Sequence, residues 1–171
     1  TERYDGYGNS IRKIMELKDS TPGILGVIAD IIKVEKQYET AIETALGGTI
    51  QNIVTDKENT AKELINYLKV NKLGRATFLP LNAIHSRNTL ENDNCINEKG
   101  VVGVASNLVR VSFEYEGLAK YLLGRILVVD NIENALVIAR KYKYSLRIVT
   151  LEGEQLNPGG SMTGGAFKNS S

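Results

Sequence analysis

The sequence predicts a mixed α/β fold made of two related lobes, residues 20–84 and 100–165, each built around a mixed sheet. Three observations support this prediction. A length of 171 residues is enough for one domain or two small lobes. The composition, 42% hydrophobic and 24% charged, is typical of a globular protein. Finally, one order of elements occurs twice: a glycine-containing turn, a strand, an amphipathic helix and a second strand.

The first copy of this order follows the pair Gly47-Gly48. Residues 49–55 are predicted to form a strand, residues 56–70 a helix and residues 76–81 the second strand. Apolar side chains of the helix share the spacing of a single face, and they are Ala61, Leu64, Ile65 and Leu68. Pro80 has no amide hydrogen, which places its part of the last strand at a sheet edge or a strand end.

The second copy follows Gly124, with a strand at 125–129, a helix at 130–142 and a strand at 146–151. The same helical offsets fall on Ala135, Ile138, Ala139 and Tyr142. We expect reciprocal caps at the two helix starts, from the pairs Thr55 with Glu58 and Asp130 with Glu133. A helix is also predicted before each copy, at residues 35–46 and, in a shorter form, at residues 115–123.

Three segments lie outside the predicted lobes. Residues 7–18 carry Ile11, Ile14 and Met15 at helical spacing, which predicts a short entering helix. Residues 85–99 are rich in Asn, Ser, Asp and Glu without an apolar period, which predicts a polar linker. Residues 167–171 are polar and do not complete an element, so we expect this chain to be a piece of a longer protein.

Charge is distributed unevenly, although the net charge is only +1. Residues 118–150 carry six Lys or Arg and two carboxylates, a net charge of +4, whereas residues 89–116 have a net charge of −3. We therefore expect one basic face. No apolar run approaches the ~20 residues that a membrane-spanning helix needs, and no signal peptide is evident. Cys95 is the single cysteine, which excludes an internal disulfide and suits a reducing cytoplasm.

Paired glycines flank Ser161-Met162-Thr163, and they are Gly159, Gly160, Gly164 and Gly165. Because glycine loses the most backbone freedom on folding, this density indicates positive φ angles or a very close approach to a phosphate or another polypeptide. A phosphate-binding loop needs Lys and Ser or Thr where Gly165 and Ala166 stand. A dinucleotide-binding loop should open a helix after the first strand, but these glycines come last. We favour a packed backbone contact.

The sequence does not assemble an active site. His85, the single histidine, lies in linker-like sequence and is expected to be a solvated loop residue. One His and one Cys cannot form the usual zinc sites. Glu152 and Glu154 fit a solvated hairpin tip, and neither Ser161 nor Thr163 has the context of a catalytic triad. We predict no catalytic residues, no metal site and no cofactor.

A cationic cluster occurs at the predicted end of the second helix and in the strand that follows: Arg140, Lys141, Lys143 and Arg147. Two interpretations stay open. These side chains could contact DNA phosphates, which gives salt-dependent and sequence-independent binding. Alternatively, they are solvated cations that offset the negative end of the helix dipole.

Four motifs share one order and spacing with a known family: Tyr4-Asp5-Gly6-Tyr7, Ala45-Leu46-Gly47-Gly48, Gly74-Arg75-Ala76-Thr77-Phe78-Leu79-Pro80-Leu81, and the segment from Arg147 through Gly165. Together they resemble the hinge domain of structural maintenance of chromosomes (SMC) proteins over roughly residues 4–165. The bacterial homodimeric type is the most similar, and residues 85–99 match least. The terminal Gly-Gly-Ser-Met-Thr-Gly-Gly is a specific part of this resemblance.

The resemblance implies a dimerisation module in a long antiparallel coiled coil, with an ATPase head at its far end. Two hinges then form a ring-shaped homodimer that holds DNA and organises chromosomes in the cytoplasm, at the nucleoid. Residues 1–19 and 166–171 become stubs of the coiled-coil arms. The contact between hinges corresponds to Gly159, Gly160, Ser161, Met162, Thr163, Gly164 and Gly165. A small-ligand or nucleotide-sensing α/β regulatory domain is the alternative.

Overall fold

The computed structural model describes residues 7–86 and 88–167. Within them the α-helices are α1 (Asn9–Met15), α2 (Ile28–Ile31), α3 (Glu39–Leu46), α4 (Glu58–Val70), α5 (Glu116–Leu123) and α6 (Ile132–Lys141). The strands are β1 (Ile24–Val27), β2 (Lys33–Val34), β3 (Ile53–Thr55), β4 (Phe78–Pro80), β5 (Val101–Val104), β6 (Val109–Arg110), β7 (Ile126–Val129), β8 (Arg147–Thr150), β9 (Gln155–Leu156) and β10 (Met162–Thr163).

The strands form three sheets. A three-stranded sheet has the order β1-β3-β4 and a five-stranded sheet the order β10-β9-β8-β7-β5, while β2 pairs with β6. Both larger sheets are mixed, because β3 is parallel to β4 and antiparallel to β1, and β7 is parallel to β8 and antiparallel to β5. Parallel neighbours need a crossover connection, which α4 and α6 provide. The predicted mixed α/β fold with a repeated strand–helix–strand order is confirmed.

The described residues divide into two compact units that interleave along the chain. Unit 1 contains residues 7–33, 48–86 and 111–118, and unit 2 contains residues 34–47, 88–110 and 119–167. The lobes predicted from the sequence, 20–84 and 100–165, are each one continuous stretch of chain and so differ from these units. The difference arises because α3 packs against β8 and so belongs to unit 2, although it precedes the strands of unit 1. Sequence order alone carries no signal for such an exchange.

The core of unit 1 joins the entering helix to the first repeat. Its buried members are Ile11, Ile14, Met15, Ile24, Val27, Ile53, Leu64 and Leu68. The predicted entering helix is therefore present as α1, with its three apolar residues buried. One prediction for α4 is wrong: Ile65 is 52% exposed and does not share the buried face of Leu64 and Leu68.

The core of unit 2 includes part of the segment predicted to be a linker. Leu90 and Cys95 are each only 1% exposed and pack with residues of β7, α6 and β8. They lie on two short 3-10 helices, Leu90–Asn92 and Asn94–Asn97. The absence of a long apolar period misled the prediction, because a single buried side chain for each short helix is enough to anchor this segment.

The helix starts differ from the predicted reciprocal caps. The backbone N–H of Glu58 donates to Asn82 Oδ1 at 3.1 Å, and Thr55 Oγ1 donates to the carbonyl of Lys57. At α6 the cap is Asn131, whose side chain accepts from the N–H of Asn134 at 2.8 Å. Both predictions of capping residues are therefore wrong. The first strand is also shorter than predicted, because residues 47–51 form a 3-10 helix.

A glycine–aspartate motif occurs in each unit, after β3 in unit 1 and after β7 in unit 2. The N–H of Asp56 donates to the carbonyl of Gly23, and the N–H of Asp130 donates to that of Gly100, both at 2.9 Å. Each carboxylate also accepts from the next turn of its helix: Asp56 Oδ1 from Thr60 at 2.6 Å, and Asp130 Oδ1 from Asn134 at 2.9 Å. The two units therefore share equivalent tertiary hydrogen bonds as well as the same order of strand, helix and strand.

Gly100→Ala is expected to lower the free energy of unfolding by about 1–3 kcal/mol. Gly100 has a φ of +91°, and a Cβ on it would lie 2.5 Å from Asn134 Nδ2 and 2.6 Å from Asp130 Oδ1. Urea denaturation followed by circular dichroism measures the change. Gly117→Ala is the matched control, because no atom in the described part of the chain lies within 4 Å of a Cβ there and the residue is helical. It should stabilise by about 0.5–1 kcal/mol, and equal midpoints for the two variants would contradict the motif's role.

Candidate functional site

The predicted glycine segment forms a hairpin at one edge of the five-stranded sheet. Strands β9 and β10 pair antiparallel, with Met162 opposite Leu156 and Thr163 opposite Gln155. The loop between them is closed by the N–H of Asn157 donating to the carbonyl of Ser161 at 2.9 Å. Asn157 Nδ2 also donates to Ser161 Oγ at 3.1 Å. The hairpin loop, residues 157–161, therefore has a defined conformation.

The glycines of this hairpin serve two different needs within the chain. Gly159, Gly160 and Gly165 have φ angles of +91°, +109° and +130°, which L side chains rarely adopt. Gly164 instead lies close to a side chain, since a Cβ there would be 3.1 Å from Glu154 Cγ. Apart from their chain neighbours, no atom of the described residues lies within 4 Å of a Cβ built on Gly159 or Gly165. The surface of the hairpin at these two glycines is therefore main chain alone.

Strand β10 ends the sheet, so its outer edge has no strand partner among the described residues. Residues 159–167 are all exposed, and Met162 exposes half of its surface. Such an edge presents unpaired N–H and C=O groups that another strand can bind. An exposed apolar side chain on an unpaired edge is suited to association with another polypeptide.

A shallow cavity of about 220 Å³ lies beside the hairpin, within unit 2. Thr44 and Gly47 of the α3 end line it together with Gly153, Gln155 and residues 163–167. The ring of Phe167 occupies the position that a side chain on Gly153 would need, because a Cβ there would lie 2.7 Å from the ring. Gly153, in the turn between β8 and β9, thus leaves room for the Phe167 ring.

The predicted cationic cluster surrounds the turn between α6 and β8, and all four of its side chains are exposed. We call residues 140–147 the basic turn. Lys141 is partly neutralised, because its Nζ lies 2.8 Å from Glu98 Oε2. Arg140, Lys143 and Arg147 form no ion pair with any other described residue. Three cations of the basic turn are therefore available to a ligand.

Glu98 links the segment 88–110 of unit 2 to the basic turn. It accepts hydrogen bonds from Lys141 and, at 2.7 Å, from the Tyr142 hydroxyl. These two bonds lower the pKa of the Glu98 carboxyl. The bond to Glu98, together with burial, raises the pKa of Tyr142 to about 12. The phenol therefore stays neutral and donates throughout the physiological range.

Comparison with known proteins decides the family. The family described as SMC proteins Flexible Hinge Domain matches residues 21–139. The chain belongs to this family. A chromosome partition protein Smc of Bacillus subtilis is 41% identical over 167 residues, which is 96% of this chain. The hinge domain described here spans only 14% of that relative's length.

Solved hinge domains have the same fold as this one. The asymmetric dimer of the Geobacillus stearothermophilus SMC hinge domain has a TM-score of 0.90 and 41% identity, covering 97% of this chain and 69% of that one. The Pyrococcus furiosus Smc hinge domain with an extended coiled coil has a TM-score of 0.76 and 37% identity, covering 92% and 56%. The predicted resemblance to a bacterial SMC hinge is confirmed.

The candidate catalytic and metal-binding groups of the sequence can be located among the described residues. His85 is exposed, as predicted, and residues 151–152 form the turn of the β8–β9 hairpin. Burial raises the pKa of the Cys95 thiol, which keeps it protonated and unreactive. Within residues 7–86 and 88–167 no group of three His, Cys, Asp or Glu could hold a metal ion. No helix in the same ranges is long and apolar enough to span a membrane.

Two residues of the site were missed by the sequence analysis. Glu98 lay in the predicted linker, and nothing in its neighbours indicates that it meets Lys141. Tyr144 lay between two cations of the basic turn, yet its carbonyl accepts the N–H of Gly159 at 2.8 Å. That hydrogen bond joins the basic turn to the glycine hairpin. Neither contact has a sequence signal, because each joins segments that only folding brings together.

Glu98→Gln is expected to lower the urea midpoint at pH 7, because an amide replaces the charged acceptor of two hydrogen bonds. Because folding lowers the pKa of the Glu98 carboxyl, its carboxylate stabilises the fold above pH 4.5, the ordinary pKa, and this stabilisation is lost as the pH falls through the lowered pKa. Because folding raises the pKa of the Tyr142 phenol, its neutral form stabilises the fold below pH 10.0, and this stabilisation is lost as the pH rises through about 12. The difference between variant and parent should therefore shrink in acid.

Urea denaturation at pH 7 and near pH ~3 provides the comparison. The control is Glu152→Gln, which removes one negative charge from an exposed turn of the same unit. It should leave the midpoint nearly unchanged at both pH values. If both variants gave the same midpoints, the Glu98 network would not stabilise the hinge.

Proposed function

We propose that this chain is the dimerisation module of a chromosome-organising SMC ATPase and that it forms a homodimer through the glycine hairpin. The observation that carries the proposal is the unpaired outer edge of β10, which is exposed and bordered by bare main chain. An edge of this kind is an association surface unless charges or proline block it. Residues 159–165 carry neither.

Twofold symmetry suits a protomer with two unlike units. If the hairpin of unit 2 in one copy contacts unit 1 of the other, symmetry generates two equivalent contacts and closes a ring. The Geobacillus relative, at 41% identity, was crystallised as an asymmetric dimer, which supports the pairing of two hinge domains here. Because each contact occurs twice, a modest interaction at one hairpin contributes twice to the dimer.

The whole protein to which this chain belongs is proposed to carry long coiled-coil arms on either side of the hinge and an ATPase head beyond them. The basis is the similarity to chromosome partition proteins, of which the chain spans 14%. The Pyrococcus hinge with an extended coiled coil supports the arms. Residues 1–19 and 166–171 would begin these arms, and residues 1–6 and 168–171 lie outside the described residues.

The role of the hinge in that protein is mechanical. We propose that it has no catalysis, cofactor or metal ion of its own, and that it acts in the cytoplasm at the nucleoid, in chromosome condensation and segregation. The alternative, a small-ligand or nucleotide-sensing domain, is not favoured, because the hinge family matches residues 21–139 and a chromosome partition protein matches 96% of the chain.

DNA binding by the basic turn is a second proposed function. It is favoured by Arg140, Lys143 and Arg147, which are exposed and free of ion pairs among the described residues. Contacts to phosphates would be indifferent to base sequence and would weaken with salt. Lys141 contributes less to this surface, since Glu98 already neutralises it.

Met162→Glu is expected to raise the dimer dissociation constant about 100-fold or more, because association would bury a charge at both equivalent contacts. Alanine at the glycines is a poorer test, since positive φ angles would strain the loop in the monomer as well. Met162 is exposed, so the protomer should keep its circular dichroism spectrum. Light scattering behind a sizing column gives the molar mass.

Val137→Glu is the matched control, because Val137 is 62% exposed on α6 in the same unit. It should leave the dimer intact. A Met162→Glu protein that stays fully dimeric at low concentration would exclude the hairpin as the contact.

The double change Arg140→Glu and Arg147→Glu is expected to weaken DNA binding at low salt by about tenfold or more. Fluorescence anisotropy with a duplex at several salt concentrations measures both the affinity and its salt dependence, and the slope should become shallower. Lys62→Glu with Lys69→Glu makes the same charge change on exposed positions of α4. Equal losses in both variants would point to net charge and not to the basic turn.

A further inference from the structure

Tyr144 has an unusual backbone conformation. Among the described residues other than glycine, positive φ angles occur at Lys72 (52°), Lys143 (57°) and Tyr144 (57°). For a bulky aromatic residue the left-handed region is an outlier, and such conformations persist only where surrounding contacts enforce them. The conformation of Tyr144 therefore requires contacts that enforce it.

The end of α6 does not require it. After α4, Lys72 is left-handed and Leu73 is not, and the N–H of Leu73 closes the helix by donating to the carbonyl of Leu68 at 3.0 Å. After α6, Lys143 takes the same conformation, and the N–H of Tyr144 donates to the carbonyl of Ala139 at 2.8 Å. Leu73 makes its bond without a positive φ, so closing the helix does not require the second of the two consecutive left-handed residues that follow α6.

The glycine hairpin supplies the missing contact. The carbonyl of Tyr144 accepts the N–H of Gly159 at 2.8 Å. The Tyr144 ring also approaches the next residue, since its Cδ1 lies 3.9 Å from the position of a Cβ on Gly160. The left-handed φ thus turns both the carbonyl and the ring of one residue toward the same loop. Tyr144 is 42% exposed, so part of the ring remains free beside that loop.

We propose that Tyr144 is a positioning residue of the dimer contact: its left-handed backbone holds the glycine loop in the conformation that a second copy of this chain binds. This inference rests on the proposed dimerisation through the hairpin. The hydrogen bond to Gly159 fixes the loop from behind, and the ring limits the motion of Gly160. A loop with two adjacent glycines would otherwise lose much freedom on association, which weakens binding.

Tyr144→Gly separates positioning from general stability. Glycine adopts a positive φ without strain, so the urea midpoint of the monomeric Met162→Glu protomer should not fall when this change is added. In the otherwise unaltered chain, the dimer dissociation constant should rise about tenfold, because the loop loses the ring beside Gly160 and glycine no longer confines the backbone that binds Gly159. Hydrogen exchange at the Gly159 amide should become about tenfold faster in the monomer. Dilution experiments with light scattering give the dissociation constant.

Two further variants make the test specific. Tyr144→Phe keeps the ring and the backbone conformation, and it should restore the dimer to within about threefold of the parent. Lys72→Gly makes the same relief of a left-handed residue in unit 1, which does not contain the hairpin, and it should leave the dissociation constant unchanged.

The outcomes distinguish this inference from the proposed function. If Met162→Glu fails to dissociate the dimer, the hairpin is not the contact and both ideas are overturned. If Met162→Glu dissociates the dimer but Tyr144→Gly binds within about threefold of the parent, only the role of Tyr144 is overturned. A fall in the protomer's urea midpoint that parallels the loss of dimer would also overturn it, since Tyr144 would then act through stability alone.

Discussion

The buried strand β7 organises unit 2. All of its residues, Ile126–Val129, are buried, so strands must pair with both of its edges and side chains must cover it. β5 and β8 pair with the two edges, and α6 packs against β7 and β8. From β8 the sheet continues through β9 to β10, where pairing stops. The exposed hairpin is therefore the consequence of a sheet that grows outward from one buried strand.

The same arrangement brings the two candidate sites together. The chain leaves α6 through the basic turn and enters β8, and the hydrogen bond from Gly159 to Tyr144 joins that turn to the hairpin. The two sites nevertheless offer different kinds of interaction to a partner. The hairpin offers main-chain groups and an exposed Met162, whereas the basic turn offers charges that salt screens. The two proposed functions should consequently respond differently to ionic strength.

Helices with a strong apolar periodicity were predicted correctly in this chain, whereas short segments held by a single buried side chain were not. The helices α4 and α6 were predictable because each buries one face against a parallel strand pair, which leaves a clear apolar spacing. Leu90 and Cys95 were not, because each is an isolated buried side chain on a short 3-10 helix with polar neighbours. The cap at Asn131 was missed since several polar residues near that helix start could serve equally well.

The fold class, the repeated strand–helix–strand order and the position of the glycine segment are readable in the sequence, because they depend on local spacing and on the backbone freedom of glycine. Folding in three dimensions settles which unit α3 joins, which sheet edge the hairpin forms, and that Glu98 and Tyr144 contact the basic turn and the hairpin. Each of these depends on contacts between segments far apart in the chain. Such contacts are selected by the packing of the whole unit, and neighbouring residues carry no trace of them.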